Sequence, residues 1–281
     1  MASRLRTTHK ESESVNTNQN KKTVGIAGLG AIGSAVARAL QDGIEGLEWI
    51  AASDVESNPE FDIPLVSFEE LAQRCDIIVE ALPPAAVPEL AKTVFENQKT
   101  LILISSCALL MFPEVQKHHE LSTSRIIVPS GALAGIDGVK ALKELGIQKS
   151  VIASTKPPRG FNGAPYVEKM GIDLEQIQSN GSKTKIFEGN ALEAAEGFPA
   201  NVNVAATLSL AGLGAKNTKV EIWADPQAAG NSHEITVSGE FSTLNMRIEN
   251  KPDPANPKSS MLAAQSIVTA LKDMNNALVI L

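Results

Sequence analysis

The sequence predicts an α/β protein in which a doubly wound parallel sheet precedes a second α+β domain built on a mostly antiparallel sheet. Between residues 24 and 128, short apolar segments alternate with helical patterns, which is typical of parallel sheets. A glycine-rich turn joins the first apolar segment to the first helical pattern. Beyond residue 150, several segments alternate apolar and polar residues, which indicates half-buried antiparallel strands.

The first βαβ unit, residues 24–54, carries a G-x-G-x-x-G turn between a strand and a helix. In this dinucleotide-binding fingerprint of Rossmann-type domains, Gly28 permits a tight turn, Gly30 admits a pyrophosphate close to the backbone, and Gly33 lets helix and strand pack closely. The unpaired N–H groups and positive dipole end of the helix favour phosphate binding. The candidate cofactor-binding residues of the turn are Gly28, Leu29, Gly30, Ala31, Ile32 and Gly33.

Asp54, 21 residues after Gly33, ends the second predicted strand. An acid at this spacing binds the adenosine ribose hydroxyls and repels a 2′-phosphate. No Arg or Lys follows directly, since residues 55–57 are Val, Glu and Ser. We therefore predict NAD as the cofactor, with NADP as the alternative. A glycine-rich turn without a nucleotide is less favoured, because strand, helix, second strand and acid are all in register.

Composition narrows the class of protein. The chain has 281 residues, enough for two domains, and its hydrophobic content of 43% and charged content of 20% are typical of a soluble globular protein. A net charge of −7 argues against nucleic acid as a partner, and no apolar run reaches membrane-spanning length. Cys75 and Cys107 are too few for a disulfide framework or a zinc cage, so we expect buried thiols, no metal site and the cytoplasm. Residues 1–22 are polar and are predicted to be a disordered tail.

Strands and helices continue to alternate through the first domain. The predicted elements are a connector or strand over residues 61–66, helices starting at 67, 86 and 113, and strands over 76–81, 100–105 and 125–128. Ligands of such sheets bind at the carboxyl ends of the strands. Three segments at such strand ends are therefore candidate linings of the nicotinamide end: 80–81, 105–106 and 130–132. Ala81 is a predicted cofactor contact among them, and the alternative is that the segments are merely tight turns.

The second domain is predicted to be rich in strands. Its predicted strands cover residues 150–156, 185–189, 220–225, 233–241 and 243–249, and its predicted helices cover 134–142, 190–197 and 198–213. A final helix over residues 259–281, capped by Ser259 or Ser260, is expected to fold back onto the first domain. We therefore predict a nucleotide-binding domain of residues 23–131 plus 257–281 and a second domain of residues 132–256, whose open sheet face forms a homodimer.

Several motifs beyond the glycine turn give a more specific resemblance. They are S-G-A at 130–132, K-P-P-R-G at 156–160, E-G-N-A at 188–191, F-P-A-N-V-N-V-A at 198–205, D-P at 225–226, N-S-H at 231–233 and E-N-K-P at 249–252. In this order, over nearly all of residues 22–281, the chain resembles the L-aspartate dehydrogenase family. The resemblance implies a reversible NAD(P)-dependent oxidative deamination of L-aspartate to iminosuccinate, which is hydrolysed to oxaloacetate and ammonia or passed on toward NAD synthesis.

The resemblance also implies roles for three residues. His233 matches the family's catalytic histidine, while Ala132 and Asn203 match residues that contact the nicotinamide. The chemistry favours the same histidine, because imidazole exchanges protons near neutral pH. The other three histidines lie in the polar tail or on a polar helix at 118–119. A hydrogen-bonded structural histidine is the alternative for His233.

A dicarboxylate substrate needs cationic partners. Lys156 and Arg159 flank two prolines that stiffen a loop, and arginine suits bidentate carboxylate binding. A solvated surface loop is the alternative, and Arg247 and Lys258 are weaker candidates. The predicted substrate-binding residues are Lys156, Arg159, Asn201 and Ser232.

Two other functions remain open from the sequence alone. The segment 82–84, Leu-Pro-Pro, and the turn at 105–108 match the family loosely on the predicted substrate side. A dehydrogenase of a different amino acid or imine is therefore one alternative. A non-catalytic NAD-sensing protein is the other, because an intact cofactor turn does not distinguish it from an enzyme, whereas His233 and Asn203 favour the enzyme.

Overall fold

The computed structural model describes residues 21–251 and 260–280. Most of the predicted polar tail lies outside the described residues, as do Lys258 and Ser259. Lys22, the last residue of that predicted tail, is instead the first residue of a strand. No helix within the described ranges is long and apolar enough to cross a membrane.

The first part of the chain forms a five-stranded sheet. Its strands are β1 (Lys22–Ala27), β2 (Leu47–Ser53), β3 (Ile77–Glu80), β4 (Thr100–Leu103) and β5 (Arg125–Ile127). They lie in the order β2-β1-β3-β4-β5, and every neighbouring pair is parallel. The helices of this part are α1 (Ala31–Gln41), α2 (Phe68–Arg74), α3 (Val87–Glu96), α4 (Ala108–Met111) and α5 (Pro113–Glu120). The predicted segment 61–66 contributes a single bridge, between Leu65 and Ala52.

Helices cover both faces of this sheet. Ile26 and Ile102 share one hydrophobic core with Val36 of α1. Leu101, next to Ile102 in β4, belongs to the opposite core with Leu90 of α3. Successive strand residues point to opposite faces, so the near-continuous apolar strands fill both cores. The predicted doubly wound parallel sheet is confirmed.

A second five-stranded sheet follows. Its strands are β6 (Ile147–Lys156), β7 (Thr184–Asn190), β8 (Thr218–Ala224), β9 (Asn231–Gly239) and β10 (Thr243–Asn250), in the order β10-β9-β6-β8-β7. The remaining helices are α6 (Ile136–Leu145), α7 (Pro165–Met170), α8 (Leu174–Asn180), α9 (Ala191–Gly197), α10 (Asn203–Ala211) and α11 (Met261–Asp273). The mostly antiparallel sheet is confirmed, with one difference: β8 is parallel to the central strand β6. The long connection between β6 and β8 carries helices and supplies the crossover that parallel strands require.

Two stretches of the second part differ from the sequence prediction. The helix predicted over residues 198–213 begins only at Asn203, because Phe198 is buried among Tyr166 and Phe187 and its carbonyl closes a turn with the N–H of Asn201 at 2.8 Å. The segment between β6 and β7 contains α7 and α8, where no element was predicted. These helices are short, and each ends at a glycine in the left-handed conformation.

The last helix lies against the first sheet's helical layer. Ile267 and Leu271 of α11 share the core that contains α1, and Ser266 accepts a hydrogen bond from the Gly131 N–H at 3.1 Å. The helix ends at Asp273, earlier than predicted. Ser260 precedes it, but its hydroxyl donates to the Asn250 side chain instead of capping α11. These contacts support the discontinuous domain of residues 23–131 plus 257–281, and the exact boundaries stay a prediction.

Candidate active site

The glycine turn after β1 has the shape that a dinucleotide requires. Gly28 has φ +94°, and a Cβ there would collide with the Ala81 carbonyl oxygen. A Cβ on Gly33 would collide with the Gly28 carbonyl oxygen, whereas no atom lies within 4 Å of a Cβ built on Gly30. Gly28 and Gly33 are therefore needed by the fold, while Gly30 leaves open space at the start of α1. The residues present fit a bound pyrophosphate.

Asp54 lies directly beside this turn. Its carboxylate accepts hydrogen bonds from the backbone N–H of Leu29 and from that of Val55, the latter at 2.6 Å. The Leu29 contact joins the end of β2 to the middle of the turn. The acid is half-buried, which leaves it accessible to a ligand.

A buried carboxylate organises the ends of β3 and β4. Glu80 is 0% exposed and accepts hydrogen bonds from the N–H groups of Leu82 at 2.7 Å, Ile104 at 3.1 Å and Ser105 at 2.9 Å. Burial raises the pKa of Glu80, and these hydrogen bonds act in the opposite direction. The adjacent Ala81 lies against Gly28, so the carboxyl end of β3 contacts the cofactor turn.

Asn203 lies where the two parts of the chain meet. Its side-chain oxygen accepts the Cys107 N–H at 3.1 Å, and its carbonyl accepts the Ser106 hydroxyl at 2.9 Å. The Ser106 hydroxyl also lies 2.8 Å from that of Thr207 on α10. Burial raises the pKa of the Cys107 thiol to about 12, so this cysteine is a buried, protonated thiol as predicted. Ala132, in the turn after β5, is 8% exposed.

His233 is a buried histidine on β9. It is 3% exposed, and its Nδ1 lies 2.9 Å from the hydroxyl of Ser154, its register partner on β6. Burial, and secondarily the charge of Lys156, lower the pKa of His233 to about 4. The ring is therefore neutral near pH 7 and not the partly protonated imidazole that its usual pKa would give.

Lys156 follows Ser154 by two residues, so both side chains lie on the same face of the sheet. Its ammonium donates to the side-chain oxygen of Asn201 at 2.8 Å. Burial lowers the pKa of Lys156 to about 8. One face of the second sheet therefore brings Ser154, Lys156 and His233 together with Asn201, so that a neutral imidazole lies near a mostly protonated amine.

Other predicted substrate residues lie apart from this group. Arg159 is exposed at the start of a short 3₁₀ turn, Pro158–Phe161. Ser232 alternates with His233 along β9, so its side chain lies on the opposite face of the sheet. Arg247 lies on that opposite face as well, ion-paired with Glu234 and Glu249.

The sequence analysis does not predict Ser154 or the structural role of Glu80, whereas Ser106 lies in the segment 105–106 that it predicts to line the nicotinamide end. The two-residue spacing to Lys156 could have placed Ser154 on the same sheet face, but its pairing with His233 depends on strand register, which the pattern does not give. Glu80 lies in the segment 80–81 that the sequence predicts to line the nicotinamide end, but its side chain is buried and accepts backbone hydrogen bonds at two strand ends. Within the described ranges, no cluster of three or more His, Cys, Asp or Glu side chains could hold a metal ion.

Comparison with known proteins identifies the family. Residues 137–274 match the family described as aspartate dehydrogenase, C-terminal, and residues 1–98 match the NAD binding domain of D-isomer specific 2-hydroxyacid dehydrogenases. The chain is 39% identical to L-aspartate dehydrogenase of Methanosarcina barkeri, covering 89% of this chain and 95% of that protein. It is also 39% identical to L-aspartate dehydrogenase 3 of Bordetella bronchiseptica, covering 90% of this chain and 94% of that protein.

Solved structures agree. The crystal structure of aspartate dehydrogenase from Thermotoga maritima matches with a TM-score of 0.69 at 29% identity, covering 92% of this chain and 99% of that one. A hyperthermophilic archaeal homoserine dehydrogenase matches with a TM-score of 0.56 at 14% identity, covering 89% of this chain and 96% of that one, and shows the shared fold alone. The chain therefore belongs to the L-aspartate dehydrogenase family of NAD(P)-dependent amino-acid dehydrogenases.

Proposed function

We propose that this enzyme catalyses the reversible NAD-dependent oxidation of L-aspartate to iminosuccinate, followed by hydrolysis to oxaloacetate and ammonia. The observation that supports this most directly is the grouping of Lys156, Asn201 and His233 on one face of the second sheet. This group contains a proton acceptor, which imine hydrolysis requires, and a cation, which recognition of a carboxylate requires. Family membership over 89% of the chain supports the same reaction.

The nicotinamide cofactor, when bound, accepts the hydride that leaves Cα of the substrate. We assign its pyrophosphate to the Gly28–Gly33 turn and the first turn of α1, which contains no acidic residue to oppose a phosphate. Ala81, Ala132 and Asn203 are assigned to the nicotinamide end. Because the Asn203 side-chain oxygen is held by the Cys107 N–H, its amide NH₂ group is left to donate to a ligand.

Asp54 is proposed to select NAD over NADP. Its carboxylate is held at the turn by the Leu29 N–H, in the position of an acid that binds ribose hydroxyls. A 2′-phosphate would meet this negative charge, and no lysine or arginine follows at positions 55–57 to offset it.

His233 is proposed as the acid–base group of imine hydrolysis. As a neutral imidazole it can accept a proton from the water whose oxygen attacks the imine carbon. The ring passes this proton to the nitrogen to give a carbinolamine, and then transfers the proton of the carbinolamine hydroxyl to the nitrogen in the same way. The C–N bond breaks as the carbonyl forms, ammonia leaves and the ring returns to its neutral state. The depressed pKa of His233 favours prompt release of that proton.

Lys156 is proposed to bind a substrate carboxylate. It is half-buried, and Asn201, a neutral side chain, is the partner that the structure gives its ammonium. Among the residues that the structure describes, this ammonium has no carboxylate partner, so its charge can bind an acidic ligand. Arg159, exposed on the adjoining turn, remains a weaker candidate for the same ligand, whereas the side chain of Ser232 lies on the opposite face of the sheet.

The open face of the second sheet is proposed as the interface of a homodimer in the cytoplasm. This face carries Trp223 and the ion pairs of Arg247 with Glu234 and Glu249, and the helices pack on the other face. Two such faces bury their polar side chains against each other when the subunits pair. Light scattering after gel filtration tests this, and a monomer at working concentrations would contradict it.

The reaction is tested by following NADH absorbance while the enzyme is mixed with NADH, oxaloacetate and ammonia. We expect NADH loss that requires ammonia and that falls at least about 100-fold in His233→Ala, within the range for an acid–base residue. NADH binding without turnover would keep the cofactor assignment and discard aspartate as the substrate. Turnover with a different keto acid would assign the enzyme to that amino acid instead.

A further inference from the structure

Ser154 and His233 form an isolated hydrogen-bonded pair inside the second sheet. They lie opposite each other on β6 and β9, are 4% and 3% exposed, and are joined by a 2.9 Å contact between the hydroxyl and Nδ1. Among the described residues, neither side chain has another hydrogen-bond partner. The Nε2 atom of His233 is therefore the ring nitrogen left for a ligand, and it is not one of the fully buried unpaired atoms.

This arrangement constrains the chemistry of the ring. A neutral imidazole carries one N–H donor and one acceptor nitrogen, and the bond made by one nitrogen sets the role of the other. If Nδ1–H donates to the Ser154 oxygen, Nε2 keeps its lone pair and can accept a proton. Lys156 is the charged group that acts on His233 among the described residues, and its positive charge also favours a neutral ring.

We propose that Ser154 is a positioning residue, whose hydroxyl fixes the orientation of His233 and the tautomer in which Nε2 accepts the proton. This inference rests on the proposed function of His233 in imine hydrolysis. Ser154 itself touches neither substrate nor cofactor in this assignment. Its effect on the reaction therefore passes entirely through His233.

The same strand provides a matched control. Ser150 lies four residues before Ser154, faces the same side of β6 and is 2% exposed. Its hydroxyl has no hydrogen-bond partner among the described residues. Burial on this strand does not by itself give a serine a hydrogen-bond partner. Ser154 differs from Ser150 because it lies opposite His233.

The decisive experiment is a double-mutant cycle in the ammonia-dependent NADH oxidation assay. We expect Ser154→Ala to lower kcat by at least about tenfold, within the range that acid–base catalysis contributes, with KM for oxaloacetate little changed. Ser150→Ala is expected to match the wild type, and Ser154→Thr, which keeps a hydroxyl, is expected to recover most of kcat. In a His233→Ala background, Ser154→Ala is expected to have no further effect. Wild-type kcat in Ser154→Ala, or an equal loss in both backgrounds, would overturn the proposal.

The ¹⁵N chemical shifts of His233 give a second test that needs no turnover. Protonation at Nδ1 in the wild-type protein, replaced by a mixture of tautomers in Ser154→Ala, supports the proposal. Protonation at Nε2 in the wild-type protein overturns it. Absence of ammonia-dependent NADH oxidation would refute only the proposed function, because the ¹⁵N chemical shifts still show whether Ser154 sets the tautomer of His233. The melting temperature of each variant is measured as well. A variant that loses activity but melts like the wild type has lost the positioning of His233 and not its fold.

Discussion

The carboxylate of Glu80, at the end of β3, accepts a hydrogen bond from the N–H of Ser105, just beyond β4, at 2.9 Å. With the bonds to Ile104 and Leu82, one buried side chain fixes two strand ends beside the cofactor turn. A carboxylate suits this place because both of its oxygens accept hydrogen bonds. These donors offset part of the free energy of burying the charge, and burial still raises the pKa of Glu80.

Glu80→Gln is expected to destabilise the protein. A glutamine presents one acceptor and one NH₂ group, so backbone donors on one side of the site lose their acceptor. An unsatisfied buried donor costs about 1–3 kcal/mol, which should appear in the free energy of unfolding by urea. The exposed Glu120→Gln, which changes the net charge equally, is the control. Equal stability of Glu80→Gln and wild type would contradict the anchoring role.

Gly30 and Gly33 should respond differently to alanine. Gly33→Ala places a Cβ against the Gly28 carbonyl oxygen, so we expect a loss of at least about 3 kcal/mol in the free energy of unfolding. Gly30→Ala meets no protein atom, so its melting temperature should stay near that of the wild type. Its Cβ would obstruct the pyrophosphate, and NADH affinity should fall at least about tenfold, or about 1.4 kcal/mol. Unchanged NADH binding in a folded Gly30→Ala protein would move the phosphate site elsewhere.

Asp54→Asn is expected to narrow the preference for NADH over NADPH. The variant keeps an acceptor for the Leu29 N–H but removes the negative charge that opposes a 2′-phosphate. Because a hydrogen bond to a charged group contributes about 1.5–3 kcal/mol, the affinity ratio should fall by about 10- to 100-fold in fluorescence titrations. Glu56→Gln, an exposed acid two positions away, should leave the ratio unchanged. Tighter binding of NADPH than NADH by the wild type would refute the assignment.

The sequence pattern predicted the parts of this fold that depend on local spacing. The glycine turn, the apolar strands of the first sheet and the alternating β9 each carry their signal within about ten residues. The pattern did not predict that β8 runs parallel to β6. The direction in which two strands pair depends on where the chain re-enters the sheet, which the alternation of apolar and polar residues does not specify. The site shows the same division. The sequence predicts Lys156, Asn201 and His233 as candidates, but their grouping depends on contacts between residues 45 and 79 positions apart in the chain.

His233 is expected to make the protein less stable in acid. Its pKa is about 4 in the folded state and 6.5 in the unfolded state, so the unfolded chain binds more protons between these values. The neutral ring's contribution is fully present above pH 6.5 and is lost as the pH falls through 4. The shift corresponds to about 3 kcal/mol. His233→Gln should flatten the pH dependence of the unfolding free energy over this window, whereas the exposed His118→Gln should not. Parallel curves for the wild type and His233→Gln would show that the ring titrates normally.

Lys156→Met is expected to weaken substrate binding more than cofactor binding. The variant keeps most of the side chain's length but removes the ammonium that donates to Asn201, so a carboxylate loses its cation. A charge-assisted hydrogen bond contributes about 1.5–3 kcal/mol, so KM for aspartate should rise by about 10- to 100-fold while NADH affinity stays constant. Because the pKa of Lys156 is about 8, KM of the wild type should also rise as the pH passes above 8. Lys169→Met, on the exposed side of α7, serves as the control. If Arg159→Ala instead raised KM and Lys156→Met did not, the carboxylate would bind at the exposed 3₁₀ turn, and the amine of Lys156 would be free to take part in proton transfer with His233.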